Sequence, residues 1–166
     1  LALFSKPRRI VTQVLSTLLC VAIFVCSYFV LLQPAYEAPV EEGEIVVAVK
    51  GSHFRTGDVI AFYYNNKMLV KRVIATAGQW VNIDEDGTVY VDNVKLDEPY
   101  LTEKALGDCD LKLPYQVPGG RLFVMGDHRT TSVDSRNTVV GCVAEEQIVG
   151  KIVFCVWPME RLGRVD

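Results

Sequence analysis

The sequence predicts a mostly β domain with a small inserted lobe, preceded by one N-terminal transmembrane helix. One observation is an uncharged apolar run over residues 10–32, which accounts for much of the excess of the 50% hydrophobic content over that of a soluble domain. The other is a succession of short β-branched runs, separated by turn residues, in the rest of the 166-residue chain. A formal net charge of −3 argues against a nucleic-acid partner, because proteins of that class carry basic surfaces.

The apolar run is long enough to cross a bilayer. Residues 10–32 read IVTQVLSTLLCVAIFVCSYFVLL, and a helix of about 20 apolar residues spans the hydrocarbon core. Because lipid offers the backbone no hydrogen-bond partners, a helix is expected despite the β-branched residues. Pro34 marks the end of the span. We therefore expect membrane lipid to surround this segment.

The charges on either side of the run predict its orientation. Three cations lie within residues 1–9, and four glutamates lie within residues 37–44. The positive-inside rule then makes residues 1–9 cytoplasmic and residues 33–166 the extracytoplasmic domain of a single-pass plasma-membrane protein. The alternative is a cleaved signal peptide, whose apolar region has about 7–15 residues and ends at a small-residue site. The run is longer and residues 34–38 offer a poor site, so the anchor is favoured.

Strands in the outer domain are predicted from β-branched or aromatic runs bounded by turn residues. These runs are Ile45–Val49, Val59–Tyr64, Met68–Ile74, Trp80–Ile83, Val89–Val91, Leu122–Met125 and Ile148–Phe154. Asn65-Asn66 and Asp86-Gly87 predict hairpin turns, because these residues tolerate positive φ. Residues 84–120 hold three prolines and many acids, which predicts the inserted lobe. The one candidate for a helical turn is Ala144–Gln147.

Five cysteines divide by location. Cys20 and Cys26 lie in the predicted span, where they are expected to pack against lipid or a partner. Cys109, Cys142 and Cys155 fall in the outer domain, where an oxidising compartment permits a disulfide. A Cys109–Cys142 bridge and free buried thiols both remain open.

Lys71 is the first candidate for chemistry. It lies beside Arg72 in an apolar strand, and strand alternation puts the two side chains on opposite faces. A lysine turned into the core or a cleft would have its pKa lowered by desolvation, and its neutral amine could accept a proton. On strand composition alone, two surface cations flanked by core residues are the favoured interpretation.

Residues 126–136, which read GDHRTTSVDSR, are the second candidate. Short polar side chains at this density favour a loop that hydrogen-bonds its own backbone. Asp134 could pair with Arg136, and Asp127 with Arg129. Taken alone, the run favours a structural loop over a reactive site.

Histidine and metal chemistry receive little support. His128 lies in the polar run and His53 in a short connection that is expected to be exposed, and neither has a convincing partner in the sequence. We therefore favour neither as a catalytic base. Two histidines without acidic residues at ligand spacing argue against a metal site, and no cofactor is expected.

Two long boxes, taken together, resemble those of a known family. They are Lys71–Ile74 followed by Ala77-Gly78, and Met125–Arg136. Shorter segments match in the same order: Glu44–Val47, Arg55–Ile60, Leu96–Tyr100, Gly150-Lys151 and Trp157-Pro158. The chain thereby resembles the type I signal peptidases, membrane-anchored serine proteases with a Ser/Lys dyad that remove signal peptides from exported proteins. The resemblance covers nearly the whole chain and implies a signal-peptidase-like β fold.

The resemblance also implies roles for the matching residues. Lys71 matches the general base, Ser132 matches a serine that orients this lysine, and Asp134 and Arg136 match a supporting ion pair. In such a mechanism a desolvated neutral lysine takes the proton of a serine hydroxyl as the oxygen attacks the scissile carbonyl. His128 stands where asparagine is commoner in the family.

The nucleophile box of the family is degenerate in this sequence. Ala35 occupies the position of the nucleophilic serine, and a register shift of one residue puts Tyr36 there instead. Ala38 and Pro39 also depart from the box, which argues against a single point change. Removing the nucleophile of a serine protease lowers kcat by about 10⁶-fold. Whether the chain is an enzyme is therefore open, and we expect little or no activity.

Two functions follow from the resemblance. The first is proteolytic removal of signal peptides from exported preproteins, which needs a nucleophile that the sequence does not reveal. The second is non-catalytic: a homologue that binds signal peptides or other extended peptides by strand addition, or that assists an active signal peptidase paralogue. Ala35 lies three residues beyond Leu32, which would put the site at the outer surface of the bilayer.

Overall fold

The structure, a computed structural model, describes residues 16–21 and 43–165. The chain divides into two units, Leu1–Pro34 and Ala35–Asp166. In the first unit, residues 16–21 are helical. Across the two described ranges, no helix is both long enough and apolar enough to cross a membrane. The rest of the predicted anchor, together with Ala35, lies outside the described residues.

Residues 43–165 form a mostly β domain of two antiparallel sheets, which confirms the predicted class. Its strands in chain order are β1 Ile45–Val49, β2 Val59–Tyr64, β3 Lys67–Ala75, β4 Trp80–Ile83, β5 Val89–Val91, β6 Val94–Lys95, β7 Tyr115–Gln116, β8 Arg121–Met125, β9 Val143–Ala144, β10 Ile148–Trp157 and β11 Gly163–Arg164. The larger sheet has the order β1-β10-β2-β3-β8-β9, with β11 also paired to β10. Two 3₁₀ turns, Glu145–Gln147 and Met159–Arg161, flank β10.

The smaller sheet has the order β6-β5-β4-β7 and builds the inserted lobe. The boundary expected near Asp84 falls inside this sheet, because β4 already pairs with β5 and β7. The apolar run of β4 resembles those of the core strands, and only its pairing with β5 and β7 assigns it to the lobe.

Turn residues fix the hairpins that bring the strands together. Asn65 and Asn66 have φ of 45° and 60° between β2 and β3, which is the predicted tight turn. Gly87, with φ of 83°, lies in the β4–β5 turn and donates its N–H to the Asp84 carbonyl. Asp92 and Asn93 make a third such turn between β5 and β6, one that the strand pattern did not predict.

Apolar faces of both sheets meet in the core. One cluster joins the inner face of the lobe, including Val81 and Val89, to Ile74 of β3 and Phe123 of β8. A second lies between β2, β3 and β8, around Ile60 and Val124. The lobe and the central strands therefore share buried apolar surface. Cys109, Cys142 and Cys155 are free thiols in this arrangement.

Candidate active site

The β2–β3 hairpin positions Lys71. In its register Ile60 faces Lys71 and Val59 faces Arg72, so the strand turns the two cations to opposite sides. Lys71 is half-buried along a cleft, whereas Arg72 is 2% exposed. The interpretation of both residues as surface cations is therefore wrong. Arg72 is instead held in the interior by ion pairing and hydrogen bonding.

Strand β8 brings the polar run to Lys71. Because Arg72 pairs with Met125, the chain leaves β8 at Gly126 directly beside the lysine. The loop then returns, and Lys71 Nζ lies 2.7 Å from Ser132 Oγ. Two residues that are 61 positions apart in sequence thus meet through one strand pairing and one loop.

Gly126 makes this close approach sterically possible. A Cβ atom built on Gly126 would lie 2.1 Å from Ser132 Oγ and 3.2 Å from Lys71 Nζ. The Gly126 N–H also donates to Asp134 Oδ2 at 2.8 Å. Only a residue without a side chain leaves room for the lysine, the serine and this hydrogen bond together.

Asp134 and Arg136 form a buried ion pair behind Ser132. Arg136 donates to both carboxylate oxygens, from Nε at 2.9 Å and from Nη2 at 2.8 Å. Its Nη1 donates to the Leu106 and Arg129 carbonyls at 2.7 and 2.9 Å, which ties the loop to the lobe. Burial alone would raise the pKa of Asp134, but hydrogen bonds and charge from Arg136, with the Gly126 N–H and Ser132, lower it.

The pKa of Lys71 lies below its ordinary value of 10.5. The largest cause is desolvation, which disfavours the ammonium form. Asp134 and Asp127 oppose this effect, and Arg136 reinforces it. Ser132 hydrogen-bonds both Lys71 and Asp134, so its hydroxyl links the amine to the carboxylate. The lowered pKa shifts Lys71 toward the neutral amine, which is the form that accepts a proton.

The structure corrects one predicted ion pair in this loop. Asp127 does not pair with Arg129; it accepts from Arg72 Nε and Nη2 at 3.1 and 2.9 Å. Arg129 instead donates to Glu98 of the lobe, with an Nη2–Oε1 distance of 2.5 Å. Both pairs are almost fully enclosed. Neighbours in sequence were the obvious candidates, but the loop turns Arg129 toward the lobe.

Lys71 lies on one wall of a cleft of about 850 Å³. The wall on β2 and β3 carries Tyr64 and the Lys67–Arg72 segment, and the facing wall is the 126–133 part of the loop. Strand β8 pairs with β3 only from Arg72 onward. Within the described residues, Lys67–Val70 therefore has a strand partner on one edge, where β2 lies.

The histidines occupy different places. His128 is exposed on the wall of the cleft, and its carbonyl accepts from the N–H groups of Thr131 and Ser132. His53 lies beside Ser52 at a separate cavity of about 190 Å³. The structure brings Lys71, Ser132, Asp134 and Arg136 together and leaves Ser52 and His53 apart from them. Ala35 lies outside the described residues.

Sequence reasoning missed the contribution of the lobe. Glu98 and Tyr100 were noted only as part of a family-like segment, yet both contact buried arginines of the site. The available signal was the excess of cations over acids in and near the two boxes. Because a buried arginine needs a carboxylate partner, this excess indicates that an acid from elsewhere in the chain contributes.

A family model and several known proteins match this chain. Residues 6–157 match the family described as "Signal peptidase, peptidase S26". The chain belongs to this signal peptidase family. It is 30% identical to signal peptidase I of Bacillus licheniformis, over 99% of this chain and 94% of that protein. It is 36% identical to signal peptidase I of Bacillus caldolyticus, over 85% of each.

Two further proteins also match this chain. Thylakoidal processing peptidase 1 of Arabidopsis thaliana is 31% identical over 74% of this chain and 39% of that protein. A crystal structure of a signal peptidase I from Enterococcus faecalis is 28% identical, with a TM-score of 0.49 over 60% of this chain and 97% of that one.

Proposed function

We propose that this chain receives the signal peptides of exported preproteins in the cleft beside Lys71, at a membrane surface. Membership of the signal peptidase family supports the substrate class. The apolar run at residues 10–32 supports membrane attachment. The observation that carries the proposal is the 2.7 Å contact between Lys71 Nζ and Ser132 Oγ inside the cleft.

In the catalytic form of this proposal, Lys71 is the general base and Ser132 orients it. The amine would take the proton of a nucleophilic hydroxyl and pass it to the leaving amine. Ser132 is poorly suited to be that nucleophile. Its hydroxyl lies between the amine and the Asp134 carboxylate, and its N–H is used by the His128 carbonyl. The family's nucleophile position is Ala35, so little or no turnover is expected.

A second candidate is peptide binding without hydrolysis. The half of β3 from Lys67 to Val70 lines the cleft and lacks a β8 partner, so an extended peptide could add there as a strand. Met68 and Leu69 point to opposite faces of β3, so they would contact peptide side chains on opposite faces of the added strand. In this form the protein would hold signal peptides or assist an active paralogue.

Cleavage of a signal-peptide substrate by the full chain in detergent tests the proposal. We expect the natural chain to bind the peptide with little turnover, and Ala35→Ser to raise the cleavage rate. Lys71→Ala in the Ala35→Ser background should abolish that gain. Lys95→Ala in the same background is the control, because Lys95 is an exposed lysine on β6 and does not line the cleft. Absence of peptide binding in every variant would refute the proposed function.

The same assay separates the two forms. Cleavage by the natural chain that is lost in Lys71→Ala would favour the enzyme and overturn the non-catalytic form. Binding by the natural chain, with no cleavage by either the natural chain or Ala35→Ser, would favour the non-catalytic form.

A further inference from the structure

Two side chains of the inserted lobe reach the arginines that frame the Lys71–Ser132 contact. Glu98 accepts hydrogen bonds from Arg129 Nη1 at 3.4 Å and Nη2 at 2.5 Å. The ring of Tyr100 lies over the guanidinium of Arg72, with Arg72 Cζ 3.8 Å from the ring centroid. The Tyr100 hydroxyl donates to Glu98 Oε1 at 2.9 Å, which joins the two contacts into one network.

The two arginines converge on one peptide segment. Arg129 Nε donates to the Gly126 carbonyl at 3.0 Å. Arg72 donates two hydrogen bonds to the carboxylate of Asp127, the next residue. Gly126 is also the residue against which Ser132 Oγ and Lys71 Nζ pack. Both contacts of the lobe therefore act on the position of Gly126.

We infer that Glu98 and Tyr100 are positioning residues, which hold the Gly126-Asp127 segment and thereby the contact between Lys71 and Ser132. This inference rests on the proposed role of Lys71. It gives the lobe a part in the site, although Glu98 lies 28 residues before Gly126 in the sequence. Neither Glu98 nor Tyr100 contacts the Lys71 amine, so any effect of these residues on it acts through Arg129 and Arg72.

The direction in which the pKa of Lys71 changes on loss of Glu98 tests the inference. The charged or titratable groups that line the cleft with it or act on its pKa are Tyr64 of β2, Lys67 of its own strand, and Asp127, His128, Asp134 and Arg136 of the loop; Arg72 points to the opposite side of the strand. Glu98 is not among the causes of its pKa shift. If the loss of the Glu98 charge acted directly, it would lower the pKa of the amine. If the loss loosens the loop and admits water, the pKa rises, because desolvation is the main cause of its lowering.

The experiment measures how fast acetic anhydride acetylates Lys71 in the full chain, by mass spectrometry across the neutral to alkaline range. We expect Glu98→Gln to slow labelling in the neutral range by at least about threefold, since each unit of pKa changes the neutral fraction about tenfold. Glu44→Gln is the matched control. It removes one carboxylate of another enclosed pair, with Arg161, where the Glu44 side chain is 3% exposed against 1% for Glu98.

A second pair of variants keeps the inference testable if Glu98→Gln folds poorly. Tyr100→Phe keeps the ring over Arg72 and loses only the hydroxyl, whereas Tyr100→Leu loses the ring. We expect Tyr100→Leu to slow the labelling of Lys71 more than Tyr100→Phe does. Unchanged or faster labelling in Glu98→Gln or Tyr100→Leu, or equal slowing in Glu44→Gln, would overturn the inference. Because labelling needs no substrate, a chain that fails to bind signal peptides would refute the proposed function and leave this result standing.

Discussion

The two walls of the cleft are held in place by different kinds of interaction. One wall is the β2–β3 hairpin, where backbone pairing with β2 holds Lys67–Lys71. The other is the loop from Gly126 to Arg136, which has little regular structure and is held by enclosed charged side chains. The comparison shows where side-chain identity matters. On the strand wall the backbone carries the geometry, and on the loop wall the side chains carry it.

The largest expected effect comes from breaking the main ion pair of the loop wall. Arg136→Met leaves the Asp134 carboxylate enclosed without its partner, and we expect a loss of about 3–5 kcal/mol in the free energy of unfolding. Urea unfolding of the full chain in detergent measures this loss. Lys151→Met is the control, because its pair with Asp58 is 38% exposed on the lysine side and should contribute below about 1 kcal/mol. Equal losses in the two variants would contradict the proposed difference.

A smaller loss is expected where the loop wall touches the strand wall. Gly126→Ala places a methyl group against Ser132 Oγ, and overpacking of this kind costs about 1–3 kcal/mol. The added methyl group should also push Ser132 away from Lys71. Gly119→Ala is the control, because its added Cβ would meet no atom within 4 Å. Thermal unfolding of both variants measures the difference, and comparable stability would refute the close packing at Gly126.

Acid should destabilise the loop wall through Asp134. Its folded pKa lies below the ordinary value of 3.8, so the stabilisation is fully present above that value and is lost as pH falls through the folded pKa. Denaturant unfolding at a series of acidic pH values should show this loss in the natural chain. In Asp134→Asn the same step should be missing. If both chains respond identically to acid, Asp134 is not the group responsible.

The smallest effect is expected on the strand wall. Met68 is 53% exposed at the rim of the cleft, so Met68→Thr should change the free energy of unfolding by no more than about 0.5 kcal/mol. The backbone pairing of Met68 with Tyr63 does not depend on the side chain. Urea unfolding measures this change. A loss of unfolding free energy comparable to that of Gly126→Ala would show that the strand wall does not tolerate side-chain substitution better than the loop wall.

Local sequence patterns predicted the regular part of this fold well. Alternation and β-branched runs located all the longer strands, and Asn65-Asn66 located the turn that sets the register of Lys71. These features depend on neighbours in sequence, which is why they can be read from it. The two-residue strands and the assignment of Trp80–Ile83 to the lobe depend on distant partners, and the pattern did not give them.

The same distinction between local sequence pattern and contact with distant residues applies to the candidate site. The sequence by itself determined which residues resemble the family's boxes, from Lys71 to Arg136, and the loss of the nucleophile at Ala35 stays a prediction from it. Only the tertiary structure decided that Lys71 faces a cleft and that Arg72 is buried. It also decided that Asp127 and Arg129 form ion pairs with residues far away in sequence. The physical reason is that a charge can be enclosed only where an opposite charge reaches it. That meeting is set by the packing of the lobe and loop against the sheet, which no local pattern records.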